Sequence, residues 1–343
     1  MRWVTHRLVT PADGRPPIPR RFLPIPALRL ARLGPPVSYG DMENALEELR
    51  RLAAHAENRR TETGIPRVAM VQGEIPEHAL AAVYPPMINI ILQGGKSMTV
   101  GEKTLHYDPA TYFVMSVDLP AVGAVHPAST GEPYLAVSLT LEPEILSKLL
   151  CDITDEATGR GEPSSRAEAF NVAAVTPELM DAWVRMLRLM ERPAEIPALA
   201  PVYEREILYR VLQGPQGRML RQLATPDSTL SRISSAIQRI RRDFSKPLRI
   251  SALAEQVAMS ESAFHRHFKS ATALSPLQYQ KQLRLLQARQ ILSTQRKSVT
   301  ATALDVGYES TTQFTREYAR AFGLPPSQDM ARMAISMRTG SSH

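Results

Sequence analysis

At 343 residues the chain is long for one ordinary domain, and its length predicts two or three. Its 43% apolar content supports a folded core and excludes wholesale disorder, while the single cysteine, Cys151, excludes an internal disulfide framework and fits a reducing compartment. The net charge of +7 is uneven: residues 1–41 carry +5, residues 42–227 carry −8 and residues 228–343 carry +10. A polyanionic partner is therefore expected for the C-terminal third alone. No long apolar span or basic amphipathic anchor accompanies the charge, so no membrane partner is expected. With no CxxC or resolving cysteine in the chain, Cys151 is expected to be a small buried hydrophobe.

Residues 1–41 hold seven arginines, no lysine and eight of the 28 prolines, with no helical period, and are expected to be a disordered basic extension. Arg20-Arg21-Phe22-Leu23 is similar to a twin-arginine export signal, but Pro24, Pro26, Arg29 and Arg32 interrupt the apolar segment that such a signal needs. "MENALEELRRLAAHAENRR" from Met42 is a far better helix opening, and the natural start is expected there. Residues 84–141 read as β structure. "MINIILQGG" is an apolar run closed by glycines, "KSMTV" alternates, and "TYFVMSV" and "YLAVSLTL" are strands bounded by Asp-Pro and Glu-Pro pairs. Short strands at this spacing predict an antiparallel sandwich or barrel.

"EPEILSKLLC" begins a helix, and 152–175 reads as a polar loop. Leu179, Trp183, Met186, Leu187 and Met190 share one face of the next helix, and Ile207, Leu208, Val211 and Leu212 one face of another, with the Pro-rich "RPAEIPALAP" between them. The pair, spanning 176–227, is expected to be a helical linker that also dimerises. "GPQG" at 214–217 breaks the second helix, and "ATPDST" at 224–229 reads as an interdomain hinge.

From Ser231 onward the pattern is helical and contains a degenerate repeat. "ISALAEQVAMSESAFHRHFKSATALSP" (250–276) matches "VTATALDVGYESTTQFTREYARAFGLPP" (299–326): a short Ala-bearing helix, a turn, a Ser-bearing helix start, an aromatic pair at i, i+4, then a loop and proline. The aromatic pairs are Phe264/Phe268 and Phe314/Tyr318. Each unit, at about 250–271 and 300–322, fits a helix-turn-helix whose second helix enters the major groove.

The "HRH" triplet in the first unit raises the question of a metal. At about 100° per residue His265 and His267 point roughly 200° apart and cannot share one ion, since helical zinc pairs use i, i+4. Phe264 and Phe268 face the core, and Ser262, His265, Arg266 and Lys269 the solvent. In the second unit Thr311, Thr312, Thr315 and Arg316 form the exposed face. Arginine can bond guanine bidentately and threonine can meet a thymine methyl, so these eight residues are the expected DNA readers. A solvated or phosphate-contacting arginine is the plainer alternative; the matching positions of Arg266 and Arg316 favour base reading. Between the units "SPLQYQKQLRLLQARQIL" starts with Ser275 as N-cap and Pro276 at N1. Packing both units onto it through Leu283, Leu286 and Ile291 would hold the two readers roughly 34 Å, one turn of DNA, apart.

This arrangement resembles the AraC/XylS family of bacterial transcriptional regulators over about residues 231–334. "LAEQVAMSESAFHRHFK", "SPLQYQKQLRLLQARQIL" and "VGYESTTQFTREYARAFGLPP" follow the family pattern in order and spacing. The resemblance implies that Ser262, His265, Arg266, Thr311, Thr312, Thr315 and Arg316 face DNA bases. Ala273 departs from it where a glycine is usual, and "PPSQDMAR" replaces the common T-P-S-x-Y-R. "YPPMINIILQGGKSMTVGEKTLHYDPATYFVMSVDLPAVG" and "REILYRVLQGPQGRMLRQLA" resemble the sensing domain of an AraC-type subgroup, which implies a cupin-like barrel joined by helices to the DNA-binding domain.

The resulting expectation is an α+β chain: a cupin-like β-barrel over 42–175, the helical linker and dimerisation hairpin over 176–227, and an all-α domain of two helix-turn-helix units over 228–336. Its partners would be double-stranded DNA at a bipartite promoter site, a small organic effector, a second copy of the chain, and RNA polymerase. Bulky or polar positions on the predicted strands, Tyr84, Met98, Tyr112, Met115 and His126, are the candidate effector lining. The alternative is a metal-dependent cupin-type enzyme fused to a DNA-binding module. Against it, His106 and His126 are twenty residues apart without an H-x-H or companion Glu, no GxSxG, Walker A, GxGxxG or HExxH occurs, and "GGKS" lacks the first glycine of a phosphate loop. No catalytic residue, metal or cofactor is expected. A general nucleoid or RNA binder is disfavoured because the charge is confined and stacking motifs are absent.

Overall fold

The computed structural model describes residues 39–57, 60–73, 81–109, 111–153, 169–295 and 297–339. All but the last three residues of the expected disordered extension at 1–41 lie outside them. Helix α1 (Tyr39–Ala53) opens with Asp41 in its first turn and closes with Arg50 and Arg51 in its last, each charge favouring its end of the helix dipole. Its buried residues Leu49, Leu52 and Ala53 turn to the core.

Among the described residues ten strands follow, broken by one helix: β1 (Thr61–Glu62), β2 (Val68–Gly73), β3 (Ala81–Tyr84), β4 (Met87–Gln93), β5 (Gly95–Val100), β6 (Lys103–Tyr107), β7 (Thr111–Met115), β8 (Leu119–His126), β9 (Tyr134–Thr140), helix α2 (Pro143–Asp152) and β10 (Phe170–Ala174). They pair antiparallel into two sheets, β1-β2-β9-β4-β7-β10 and β3-β8-β5-β6. The sheets are cupin-like but do not close into a hydrogen-bonded barrel. They are joined by packing, with Tyr107 on β6 stacked on Phe113 of β7 at 5.2 Å between ring centroids.

Several elements depart from the sequence reading. β1 and β2 precede residue 84, and β10 lies in the stretch read as polar loop; "FNVAA" becomes a strand only by pairing along β7, Phe170 opposite Met115 through Ala174 opposite Thr111. Cys151 is exposed, because α2 packs through Leu146 and Leu149 and the thiol falls off that face.

The helices are α3 (Pro177–Arg188), α4 (Ile196–Gln213), α5 (Gly217–Ala224), α6 (Thr229–Arg242), α7 (Ile250–Gln256), α8 (Glu261–Thr272), α9 (Pro276–Thr294), α10 (Val299–Asp305), α11 (Thr311–Phe322) and α12 (Pro326–Thr339). The Pro-rich separator is partly helix: α4 starts at Ile196, with a proline in its first turn, where a missing N–H breaks no helical bond. Among the described helices six starts are fixed by side-chain caps. Thr176, Ser228, Ser260, Ser275, Ser298 and Ser310 each accept from a backbone N–H three residues on, each worth about 1 kcal/mol.

One continuous apolar cluster runs from Leu49 through both sheets, α3 to α6 and the first helix-turn-helix as far as Leu283 on α9. A second, smaller cluster of Leu285, Ala288, Leu292, Ala303, Val306, Tyr308, Phe314 and Tyr318 holds the second unit. A cleft of about 140 Å³, bordered by Pro120, Val122, Leu285, Leu286 and Phe322, separates β5 and β8 from α9 and the end of α11. No described helix is long and apolar enough to cross a membrane.

Candidate nucleic-acid interface

Two short helix–turn–helix units carry the candidate readers. In the first, α7 and α8 meet at a turn where Ala258 takes φ 51°. In the second the matching residue is Gly307 at φ 89°, and a Cβ there would lie 2.0 Å from the Ser245 carbonyl oxygen, so only glycine fits. On α8, Phe264 and Phe268 are fully buried with centroids 5.5 Å apart, and Phe268 meets Tyr279 of α9 edge-on at 5.6 Å. On α11, Phe314 and Tyr318 repeat the arrangement at 5.5 Å. These aromatic anchors fix which face turns outward.

Ser262, His265, Arg266 and Lys269 are all exposed, as are Thr312 and Arg316; Thr311 and Thr315 are half-buried. The eight residues thus sit on the outer sides of α8 and α11, four on each. His267 is half-buried, and burial, followed by the neighbouring Arg266 charge, lowers its pKa. Among the described residues no group of three or more His, Cys, Asp or Glu side chains is arranged to hold a metal.

Helix α9 is the strut between the units. Arg284 donates to the carbonyls of Phe244 (2.7 Å), Ser245 (3.1 Å) and Lys246 (3.0 Å) before the first unit, and of Gly307 (2.9 Å) in the turn of the second. Gln280 adds bonds to Phe244 and Lys246 at 2.9 and 2.7 Å. Further on, Arg289 grips Asp329 of α12.

The β half touches the helical half through a polar latch that the sequence did not reveal. Asp118, 3% exposed between β7 and β8, accepts from Gln238 (2.5 Å) and Arg241 of α6, and its backbone carbonyl accepts the Tyr279 hydroxyl at 2.8 Å. Nearby, the Ala169 amide donates to the Ala271 carbonyl at the end of α8. Gly101 packs so closely on Ala273 that a Cβ would come within 2.9 Å of its carbonyl oxygen.

The candidate effector lining divides. Met98 shares the inward face of β5 with Lys96 and Val100, Met115 shares Phe113's face of β7, and half-buried Tyr84 carries the Lys96 ammonium 5.0 Å above its ring. Tyr112 points the other way, its hydroxyl donating to Gln216 at 2.7 Å beside α5. His126 is on the exposed face of β8, where Ser97 Oγ lies 2.9 Å from its Nε2 and 3.0 Å from His106 Nδ1. Lys96, Tyr107 and Tyr134 went unremarked in the sequence. The alternation Lys96, Met98, Val100 was the available signal, since it puts a lysine on an otherwise apolar face.

Comparison with known proteins bears on this geometry. Residues 64–219 match the AraC-type transcriptional regulator N-terminus, and residues 253–332, spanning both units, match a helix-turn-helix domain. The chain belongs to the AraC/XylS family of transcriptional regulators. The thermoregulatory protein LcrF of Yersinia pestis is 24% identical to this AraC-family chain over 272 residues, covering 78% of the chain and 94% of LcrF. The transcriptional activator RhaS of Escherichia fergusonii is 31% identical over 129 residues, 37% of the chain and 46% of RhaS. ToxT from Vibrio cholerae has a similar fold, with a TM-score of 0.52 at 9% identity over 77% of the chain and 98% of ToxT. As an AraC-family regulator the chain binds DNA through its helical half, with α8 and α11 as the second helices of its two units.

Proposed function

We propose that this regulator reads a bipartite promoter site with α8 and α11 in successive major grooves, and that a small organic effector bound between the two β-sheets biases that reading. Ser262, His265, Arg266 and Lys269 would contact one half-site, and Thr311, Thr312, Thr315 and Arg316 the other. The observation that carries the proposal is the repeat itself: two arginines at matching positions, each exposed opposite a buried aromatic pair, on helices joined by one strut. In this reading 42–175 senses, 176–227 links and pairs two copies of the chain through α3 and α4, and 228–336 binds DNA and contacts RNA polymerase in the cytoplasm. The β half binds its effector without transforming it; stoichiometric iron, manganese or zinc in the purified protein would overturn that point in favour of a metal-dependent enzyme.

Footprinting on a selected operator tests the main claim. Two protected blocks about one helical turn, roughly 10.5 base pairs, apart on one face of the duplex are expected. A single block, or equal protection of random DNA, would overturn it.

A further inference from the structure

Four strands bring one lysine and three tyrosines together between the sheets. Lys96 on β5 stands directly opposite Tyr107 on β6 in the ladder, Tyr84 ends β3 beneath the Lys96 ammonium, and Tyr134 opens β9. Lys96 is 8% exposed, Tyr107 3% and Tyr134 1%. Among the described residues the hydroxyls of Tyr107 and Tyr134 find no hydrogen-bond partner, and Lys96 makes no ion pair, only its contact with the Tyr84 ring. A buried ammonium and buried hydroxyls in this condition are costly to the fold, and the cation–π contact offsets only part of that cost. Burial draws the Lys96 pKa from 10.5 down to about 8 and pushes those of the three tyrosines up. A methionine at this position would complete the apolar face of Met98 and Val100.

We propose that this cluster is the effector's polar end and that the effector is a monocarboxylic acid with an apolar body, its carboxylate set against Lys96 Nζ and accepting from the hydroxyls of Tyr107 and Tyr134. A carboxylate supplies a negative charge for the ammonium and acceptor lone pairs for the hydroxyls. A polyol would leave the charge uncompensated, and a cation would be repelled by it. The apolar body follows from the surrounding faces, which present Met98, Val100, Phe113 and Met115. The site also has a route outward. Tyr84 pairs in the ladder with Leu119, the residue after Asp118, whose carboxylate and carbonyl hold α6 and α9 of the DNA-binding half. Filling the cluster therefore bears on the strand that leads into the latch.

This inference rests on the regulator reading, and its test separates the two. Full-length protein is titrated by calorimetry and thermal shift with benzoate, octanoate and hexadecanoate, with benzyl alcohol, 1-octanol and 1-hexadecanol as uncharged matches, and with inorganic phosphate. At least one acid should bind saturably, about tenfold or more tighter than its alcohol, and phosphate should not compete. Lys96→Met should weaken that acid about tenfold or more, and Tyr107→Phe and Tyr134→Phe each several-fold. If Lys96→Met fails to fold, the two phenylalanine variants decide. No binding by any acid, equal binding of acid and alcohol, or variants that bind as the wild type does would overturn the proposal. Operator footprints are run on the same samples. Intact footprints without acid binding sink the effector class alone, whereas absent footprints sink the regulator reading itself.

Discussion

Replacing Asp329 with alanine should release the second recognition helix while leaving the first in place. The Asp329 side chain is fully buried in the first turn of α12. It accepts from Arg289 Nε at 2.9 Å and Nη2 at 3.3 Å, from the Tyr318 hydroxyl at 2.9 Å and from Arg332 at 2.5 Å, tying α9, α11 and α12 together. Burial alone would raise its pKa, but the bonds from Arg289, Tyr318 and Arg332 outweigh it and hold the carboxyl below its usual range. The stabilisation is thus fully present above the unfolded value of 3.8 and is lost as pH falls through the depressed folded pKa. Removing one member of a buried ion pair costs about 3–5 kcal/mol, because the guanidinium stays buried without its counter-charge. That is a large fraction of the roughly 5–15 kcal/mol that holds a typical domain, and it falls on the smaller of the two apolar clusters. Urea denaturation should show a loss of about that size, with Asp329→Asn, which keeps the volume but not the charge, losing about 1.5–3 kcal/mol. Footprints of Asp329→Ala should lose protection over one half-site only. A loss below about 1 kcal/mol, or simultaneous loss of both half-sites, would refute the reasoning.

Other outcomes follow from the same geometry. Arg316→Ala should weaken operator binding about 5- to 150-fold, the span of one good base contact, and leave affinity for random DNA nearly unchanged; equal losses on both would count against base reading. Lys269→Ala should weaken both and lower the salt slope of binding by about one, so an unaltered slope would remove it from the phosphate contacts. Ala273 ends α8 in the left-handed region at φ 58°, where Gly323 ends α11 at φ 77°. Ala273→Gly should therefore stabilise the protein by up to about 1 kcal/mol and Gly323→Ala destabilise it by a similar amount, a pair that thermal melts would contradict by showing one sign for both. Because Lys96 holds fewer protons folded than unfolded between about 8 and 10.5, stability should rise with pH from about 8. Above about 10 the raised pKa values of the facing Tyr84, Tyr107 and Tyr134 act in the opposite direction. Lys96→Met should flatten the rise between 8 and 10, and an unchanged slope would mean that the ammonium is not desolvated.

The helical half was readable because its signals are local. Serine caps, Pro276 after Ser275 and aromatic pairs at i, i+4 all act within one or two turns, so the exposed faces of α8 and α11 follow from the sequence once the period is set. The β half was readable where a strand carries its own alternation, as in β5, and unreadable where pairing creates the strand, as in β10. A cupin-like barrel was expected and the two sheets are cupin-like. That they meet by packing, with Tyr107 on Phe113, and not by a closed ladder was not legible, because the number of ladder bonds between β6 and its neighbours is not encoded in any single strand. Asp118 escaped notice for the same reason. Its partners Gln238, Arg241 and Tyr279 lie more than a hundred residues downstream, and a lone Asp before Leu-Pro reads only as a turn.

The shared core of the β half and the first helix-turn-helix limits how this regulator can be taken apart. Cutting between Asp227 and Ser228 would strip cover from Leu230, Ile233 and Ile237 of α6, which are buried in that common cluster. A C-terminal fragment made that way should be sticky in solution, and grafting the helical half onto a foreign sensor would need its contact surface redesigned as well. Modularity in this chain therefore resides in the last unit, after α9, more than at the boundary that the amino-acid composition suggests.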